Sequence, residues 1–311
     1  MNPTYSIIIP HYNTPDLLMR CLASIPVRED VQVIVVDDNS PDVETYPDRY
    51  PELSRPNLEF IRTTKGGGAG YARNVGLDQA EGKWLLFADS DDFFVEDFGG
   101  ILDRSADYPE EIVFFRYLAV YSDDISKPSQ RDGHINQLID RYLKSGDETD
   151  IRCAHAVPWG KMIRTDLVRR HNIRFDEIRY SNDIVFSILS GCKAASIRFE
   201  DNPLYVVTER KGSLTHEFCG KPGEFVIRTE AAYRAQRAIF EHGFPFSESQ
   251  EFPKYLYDSY HVDKKLYKKY FRLLPSLGIS RRKTIYKVRI RQKGIIRKLF
   301  VYPYSWLLCL S

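Results

Sequence analysis

Short apolar runs that each end in a polar or acidic cluster, separated by helical patterns, constrain this chain more than any other feature. The run 6–10 is continuous and apolar up to Pro10, as expected for a strand buried on both faces. Thr14-Pro15-Asp16 then supplies a helix N-cap, a proline at the first helical position and an acid in the first turn. Leu17, Leu18, Cys21, Leu22 and Ile25 follow at helical spacing. Further strands are expected at 31–36, 58–61 and 84–88, with a loose glycine loop at 66–70 and a helix over 71–80. Such alternation builds a mostly parallel sheet with crossover helices. The runs end in Pro10-His11-Tyr12-Asn13, Asp37-Asp38-Asn39-Ser40 and Asp89-Ser90-Asp91-Asp92. In an open α/β sheet that carboxyl edge is where ligands sit.

Beyond residue 110 the signals are mixed. Strands are expected at 112–117 and 204–208, and helices at 135–143, 165–171 and 184–189. Long helical stretches follow from 224 to about 242 and over 252–271. The expected division is an α/β nucleotide-binding and catalytic domain over 1–201 and a helical, basic extension over 202–311.

Charge divides the chain in a similar way. From Lys264 to Ser311 there is no Asp or Glu but there are 14 Lys and Arg, which leaves 30 basic groups against all 43 acidic ones before it. The tail mixes Arg281, Arg282, Lys283, Lys287 and Arg289 with Ile285, Val288, Ile295 and Phe300, and ends in an aromatic, leucine-rich piece containing Trp306. A basic amphipathic segment of this kind suits the surface of an anionic membrane. A charged helix face or a nucleic-acid patch has the same composition; nucleic acid is the disfavoured partner. No run of about 18 apolar residues exists to span a bilayer, and the first residues lack the basic region of a signal peptide. The five scattered cysteines include no C-x-x-C pair. A cytoplasmic protein with reduced thiols, peripheral on the inner membrane face, is therefore expected.

Asp89-Ser90-Asp91 is the most specific chemical signal. Two carboxylates one residue apart at a strand end are costly unless a cation neutralises them, and a hard divalent ion can also take diphosphate oxygens. A lone D-x-D is equally compatible with an acidic turn capping the next helix. Here it has company. A uracil ring needs an acceptor for its N3–H, which Asp38 offers, and a face for stacking, which Tyr12 offers; a turn acid and a core aromatic are the plainer readings. The glycines at 66–68 form neither a P-loop nor a dinucleotide fingerprint, because no G-K-[ST] follows and the second frame fails at Tyr71 or Arg73.

I-I-I-P-H-Y-N, V-I-V-V-D-D-N-S, G-A-G-Y-A-R-N-V-G and F-A-D-S-D-D-F resemble, in order and spacing, the N-terminal motifs of family 2 glycosyltransferases. The resemblance implies a GT-A fold, a mixed and mostly parallel sheet flanked by helices, here with a mainly helical C-terminal extension. It implies that Pro10, Tyr12 and Asp38 hold the base of a nucleotide, that Arg73 approaches base or ribose, and that Asp89 binds ribose or metal-side oxygens. Asp91 is then the metal and diphosphate ligand, for Mn²⁺ or Mg²⁺, and Asp92 an additional acid.

Downstream, Trp159-Gly160-Lys161-Met162 and Ser181-Asn182-Asp183-Ile184 resemble the acceptor-side half of the same family, where an acidic pair, usually Glu-Asp, carries the base on its second member. Asn182 departs from that pattern and Asp183 retains the carboxylate. In an inverting displacement the acceptor hydroxyl must lose a proton, which a positioned carboxylate can take; a helix N-terminal acid is the plainer alternative. Arg210, Ser213 and His216 lie in a basic loop able to close over a diphosphate, and Trp159, Lys161, Asn182 and Asp92 complete the acceptor or diphosphate region. The implied reaction moves a hexose-type sugar from a nucleotide-diphosphate donor, a UDP-sugar first, to a saccharide or lipid-linked saccharide hydroxyl in cell-surface polysaccharide synthesis. Two rivals are a sugar-phosphate nucleotidyltransferase, which would carry a glycine-rich basic motif where Pro10–Asn13 stands, and a non-catalytic binder of membranes or nucleic acid.

Overall fold

The structure is a computed structural model that describes residues 3–131, 133–210, 222–286 and 288. It divides into two compact units, Met1–Arg210 and Lys211–Ser311. In the first, β1 (Tyr5–His11), α1 (Pro15–Ala23), β2 (Val31–Asp37), the short α2 (Tyr46–Arg49), β3 (Leu58–Arg62), α3 (Gly68–Gln79) and β4 (Trp84–Phe87) follow the expected alternation. β1 pairs in parallel with both β2 and β4, and β2 with β3. Successive side chains of a strand point to opposite faces. Ile7, Ile9, Val33 and Leu86 accordingly join one core with Leu18 and Leu22 of α1, while Ile8, Ile34, Leu85 and Phe87 join the other with Ala72 and Leu77 of α3. Both faces are covered, which is why these strands read as unbroken apolar runs.

The sheet continues through β5 (Phe93–Phe94), α4 (Phe98–Ser105), β6 (Ile112–Tyr121), β7 (Asp124–Pro128), α5 (Gly133–Ser145), α6 (Thr149–Ala154), β8 (Lys161–Arg164), α7 (Thr165–Arg170), α8 (Ile184–Lys193) and β9 (Ile197–Glu209). Among the described residues it has nine strands in the order β3-β2-β1-β4-β8-β6-β9-β5, with β7 beside β6. β8 is antiparallel to β4 and β6, so the sheet is mixed. This is the α/β architecture expected from the sequence.

Three boundaries differ from expectation, each for a local reason. The first unit ends at Arg210 rather than Asp201, because the polar stretch around Asp201 and Pro203 is a bulge within β9, opposite Arg116, and not a linker. α3 begins at Gly68, inside the expected loop. The single helix expected over 252–271 is two, α10 (Glu251–Val262) and α11 (Lys264–Leu273), after α9 (Pro222–Glu241). Asp263 makes the break: extended, it accepts hydrogen bonds from the Lys265 and Leu266 amides and caps α11. The second unit has its own core, with Phe225, Phe252, Leu256, Tyr270 and Leu274 buried together.

Candidate functional site

Parallel pairing of β1, β2 and β4 brings their polar termini side by side. His11 is the register partner of Asp37, and the Ala88 amide reaches back to the Ile8 carbonyl. The His11 Nδ1 lies 2.7 Å from Asp37 Oδ2, while its Nε2 accepts the Thr14 amide at 3.1 Å. The proton therefore sits on Nδ1 and is donated to Asp37. Ser40 gives Asp37 its amide and its hydroxyl. Burial pushes the Asp37 carboxyl up, but these bonds outweigh burial and hold it below the usual carboxylate range. The His11–Asp37–Ser40 network fixes the turn that presents Asp38 and Tyr12.

Asp38 accepts the Gly67 amide at 2.8 Å on Oδ1 and the Gly68 amide at 2.7 Å on Oδ2. A carboxylate from the end of β2 thus satisfies orphan amides at the start of α3, which is why that helix begins among glycines. Each Asp38 oxygen keeps a second lone pair. Tyr12 is 58% exposed, so its ring is open to a ligand. Pro10 is buried in β1.

Arg73 on α3 joins the donor-side and acceptor-side motifs. It is buried, stacks over the Phe175 ring, and donates to Asn182 Oδ1 at 2.8 Å and to Asp89 Oδ1 at 2.5 Å. Its neighbour Asn74 exchanges two hydrogen bonds with the Phe175 backbone. The approach is close enough to require glycine at 70: a Cβ there would stand 2.0 Å from the Asp176 carbonyl oxygen. Asn182 is buried, and Asp183, partly exposed, is the N-cap residue of α8 but makes no side-chain cap hydrogen bond.

The D-x-D turn is held from several directions. Arg20 of α1 donates to the Asp91 carbonyl at 2.6 Å, as does the Thr208 hydroxyl of β9 at 2.7 Å. The Asp91 side chain pairs with Arg210 at 3.1 Å. Asp92 is buried and accepts the Thr208 amide at 2.6 Å and the Tyr205 hydroxyl at 3.1 Å; that hydroxyl in turn accepts the Asp89 amide at 2.8 Å. Burial first, then the charges of Asp91 and Asp89, push the Asp92 carboxyl well above its ordinary value.

Of the other expected residues, Trp159 is largely buried, stacked on Tyr205 with ring centroids 5.5 Å apart, and Lys161 is buried against Phe114. Ser213, His216 and the tail from Arg289 onward lie outside the described residues. Arg20, His11, Asp37, Asn74, Tyr205 and Thr208 were given no role from sequence. Asn74 stood inside a quoted motif; Arg20 had no signal at all.

Among the described residues no group of three or more His, Cys, Asp and Glu side chains could hold a metal. The chemistry of the donor set still fits a divalent ion: Asp91 and Asp89 are hard oxygen donors at a strand end, partly open to solvent. They fit an ion shared with phosphate oxygens rather than one caged by protein. A cavity of about 560 Å³ lined by Arg28, Val31, Gln32 and Leu58 opens at the amino ends of β2 and β3, away from all of these residues.

Comparisons with known proteins bear on the family and the fold. The chain is 26% identical over 247 residues to the putative glycosyltransferase EpsH of Bacillus subtilis, covering 74% of this chain and 69% of that one. It is 26% identical over 238 residues to the Staphylococcus aureus poly(ribitol-phosphate) beta-N-acetylglucosaminyltransferase TarS, covering 71% of this chain but 38% of TarS. The structure of TarS 1-349 in complex with UDP-GlcNAc superposes with a TM-score of 0.61 at 22% identity, covering 94% of this chain and 92% of that one. The mannosyltransferase PcManGT from Pyrobaculum calidifontis, in complex with GDP-Man and Mn²⁺, gives 0.53 at 15%, covering 99% and 86%. The family model for Glycosyl transferase family 2 matches residues 6–171, more than half the chain, and with the GT-A fold this makes the protein a member of that family and a glycosyltransferase.

Proposed function

We propose that this enzyme transfers a hexose-type sugar from a UDP-sugar, with inversion, to a hydroxyl of a saccharide or lipid-linked saccharide, in the synthesis of a cell-surface polymer. The observation that carries the reading is Arg73, whose one guanidinium grips Asp89 of the D-x-D turn and Asn182 beside Asp183. Donor-side and acceptor-side groups are thereby held in one rigid frame, as a displacement with aligned reactants requires.

Tyr12 offers its open ring to the base, at the edge where Pro10 ends β1, and the spare lone pairs of Asp38 offer an acceptor to its N3–H. Asp89 and Asp91 would hold Mn²⁺ or Mg²⁺ together with the diphosphate, and such an ion would supply positive charge to the departing phosphates. Arg210 adds a guanidinium at the same place. Asp183 takes the proton of the acceptor hydroxyl as its oxygen attacks the anomeric carbon, and UDP leaves from the opposite side. The nucleotidyltransferase reading has no comparable support. No helix among the described residues is long and apolar enough to cross a membrane; we place the enzyme peripherally on an anionic surface through its basic C-terminal part, with the two expected domains corresponding to catalysis and attachment.

The test is release of UDP from a panel of UDP-sugars, with Mn²⁺ and with EDTA, in wild type, Asp91→Ala and Asp183→Asn. Metal-dependent release from one sugar, lost in both variants, is the expected result. Full turnover in EDTA or in Asp91→Ala would remove the metal from the scheme, and full transfer in Asp183→Asn would remove the base.

A further inference from the structure

Helix α1 lies along the D-x-D turn and the short strand after it, and side chains along its length reach across. Thr14, just before the helix, has its hydroxyl 3.5 Å from that of Ser90. Arg20 donates from Nη2 to the Asp91 carbonyl at 2.6 Å. Ser24, just after the helix, accepts the Phe94 amide at 3.0 Å. The contacts 14–90, 20–91 and 24–94 keep one order along both segments, so the helix stands as a brace beside the turn. Its own seat is firm, with Leu18, Cys21 and Leu22 buried.

The same helix starts from the base-side turn. His11 Nε2 accepts the Thr14 amide, and Ser40 Oγ accepts the Asn13 amide at 2.7 Å. The head of α1 is therefore tied to the turns that carry Tyr12 and Asp38. One stiff element links the edge assigned to the base with the carboxylates assigned to the diphosphate.

Arg20 makes the strongest of the three ties, because a hydrogen bond from a charged donor is about twice as strong as a neutral one. Its fork also reaches the β6–β7 turn, where Nη1 donates to the Ser122 carbonyl at 3.2 Å and Nη2 lies 3.3 Å from the Ser122 hydroxyl. The guanidinium covers the Phe93 ring, 5.4 Å from its centre. Its Nε is buried without a partner among the described residues, a cost that the contacts of the fork offset. None of these bonds uses a carboxylate oxygen of Asp91.

We propose that Arg20 is a positioning residue of the transfer reaction: from α1 it ties the Asp91 backbone to the β6–β7 turn and so fixes how far the D-x-D carboxylates stand from the base-side edge. A nucleoside diphosphate has a limited reach from its ring to its second phosphate, so the spacing of the two turns is part of what it meets. The consequence for the donor rests on Tyr12, Asp38 and the D-x-D acids holding it. The bracing itself does not.

The first measurement is hydrogen exchange in the ligand-free, full-length protein. The Asp92 and Phe94 amides, bonded to the Asp89 carbonyl and to Ser24, should exchange about tenfold faster in Arg20→Ala. The Ala88 amide, bonded to Ile8 of β1, should keep its rate and so report that the sheet is intact. Unchanged exchange at Asp92 and Phe94 would overturn the inference, whatever happens to turnover.

The second is calorimetric binding of UDP with Mn²⁺ and of UMP in EDTA. Arg20→Ala should weaken UDP, which spans both turns, by about tenfold and leave UMP near wild type. Equal losses for both nucleotides would mean general loosening and sink the proposal. Arg20→Lys keeps the charge without the fork and should recover only part of the affinity; full recovery would reduce the role to charge and overturn the two-sided tie. Tyr12→Ala tests the base assignment alone. If it leaves both nucleotides unmoved while Arg20→Ala keeps its selective loss, the brace stands and the base assignment falls.

Discussion

Arg210 Nε stands 3.1 Å from Asp91 Oδ2, so a guanidinium already occupies the carboxylate to which the metal is assigned. Both side chains are partly exposed, and an ion pair of that kind is worth at most about 1 kcal/mol. A divalent ion held at Asp91, as proposed, would therefore compete mildly with the arginine, and the displaced guanidinium would be free to meet the diphosphate.

Arg210→Gln should separate these two roles. Losing the competitor should lower the half-saturating Mn²⁺ concentration by up to about fivefold. Losing the cation near the leaving group should lower kcat by tenfold or more. The Mn²⁺ dependence of UDP release measures both, and a Mn²⁺ midpoint that does not move would rule out the competition.

Tyr205→Phe removes one buried hydroxyl that serves two partners, the Asp89 amide and the Asp92 carboxylate. Leaving both unmet should cost about 1–3 kcal/mol. It should also loosen the D-x-D turn, so that donor KM rises in a protein that still folds. Denaturant unfolding with donor kinetics tests this; stability and KM both at wild-type values would mean that the hydroxyl does not position the turn.

How much of this was legible in the sequence follows from where each signal is stored. Strands β1, β2 and β4 are covered on both faces, so burial writes them as apolar runs, and their parallel pairing puts their polar ends together. The short antiparallel β8, bounded by Lys161 and Arg164, has no such run, and β7 is mostly exposed at the edge. The onset of α3 was hidden because its amides are capped by Asp38 from another strand. The same holds in the site: Asp89 and Asp91 are readable as a pair of like charges and Arg210 as part of a basic loop, whereas Arg20 and Tyr205 reach the turn across the fold. Asp263, by contrast, was a readable N-cap before Lys264, overlooked because the apolar pattern continues through it.

Lys161→Met should stabilise the protein at neutral and acid pH. The sign follows from the lowered value of about 7: between there and 10.5 the unfolded chain holds a proton that the folded chain has released. Stability therefore rises with pH through that window, and the cost of the buried charge is fully present only below pH 7. That cost is at most about 5 kcal/mol. The gain in Tm over wild type should be several degrees at pH 6.5 and shrink toward pH 10. An equal gain at every pH would show packing, not charge, to be its source.

On α11, Lys264, Lys265, Lys268, Lys269 and Arg272 are exposed along one side while Leu266 and Tyr270 are buried on the other. Arg281 donates to the carbonyls of Phe271 and Arg272, which brings the basic run 281–283 against the end of that helix. Eight cations thus share a surface region, in a part of the chain that has no acid after Asp263. Each cation near an anionic bilayer contributes about 1 kcal/mol, screened by salt. Changing Lys264, Lys265, Lys268 and Lys269 together to Gln should weaken co-sedimentation with phosphatidylglycerol vesicles by tenfold or more at 0.1 M salt, with no effect on neutral phosphatidylcholine vesicles. UDP release in solution should be unchanged. Undiminished binding of the quadruple variant would assign attachment to residues beyond α11, and wild-type protein that ignores anionic vesicles would remove membrane attachment altogether.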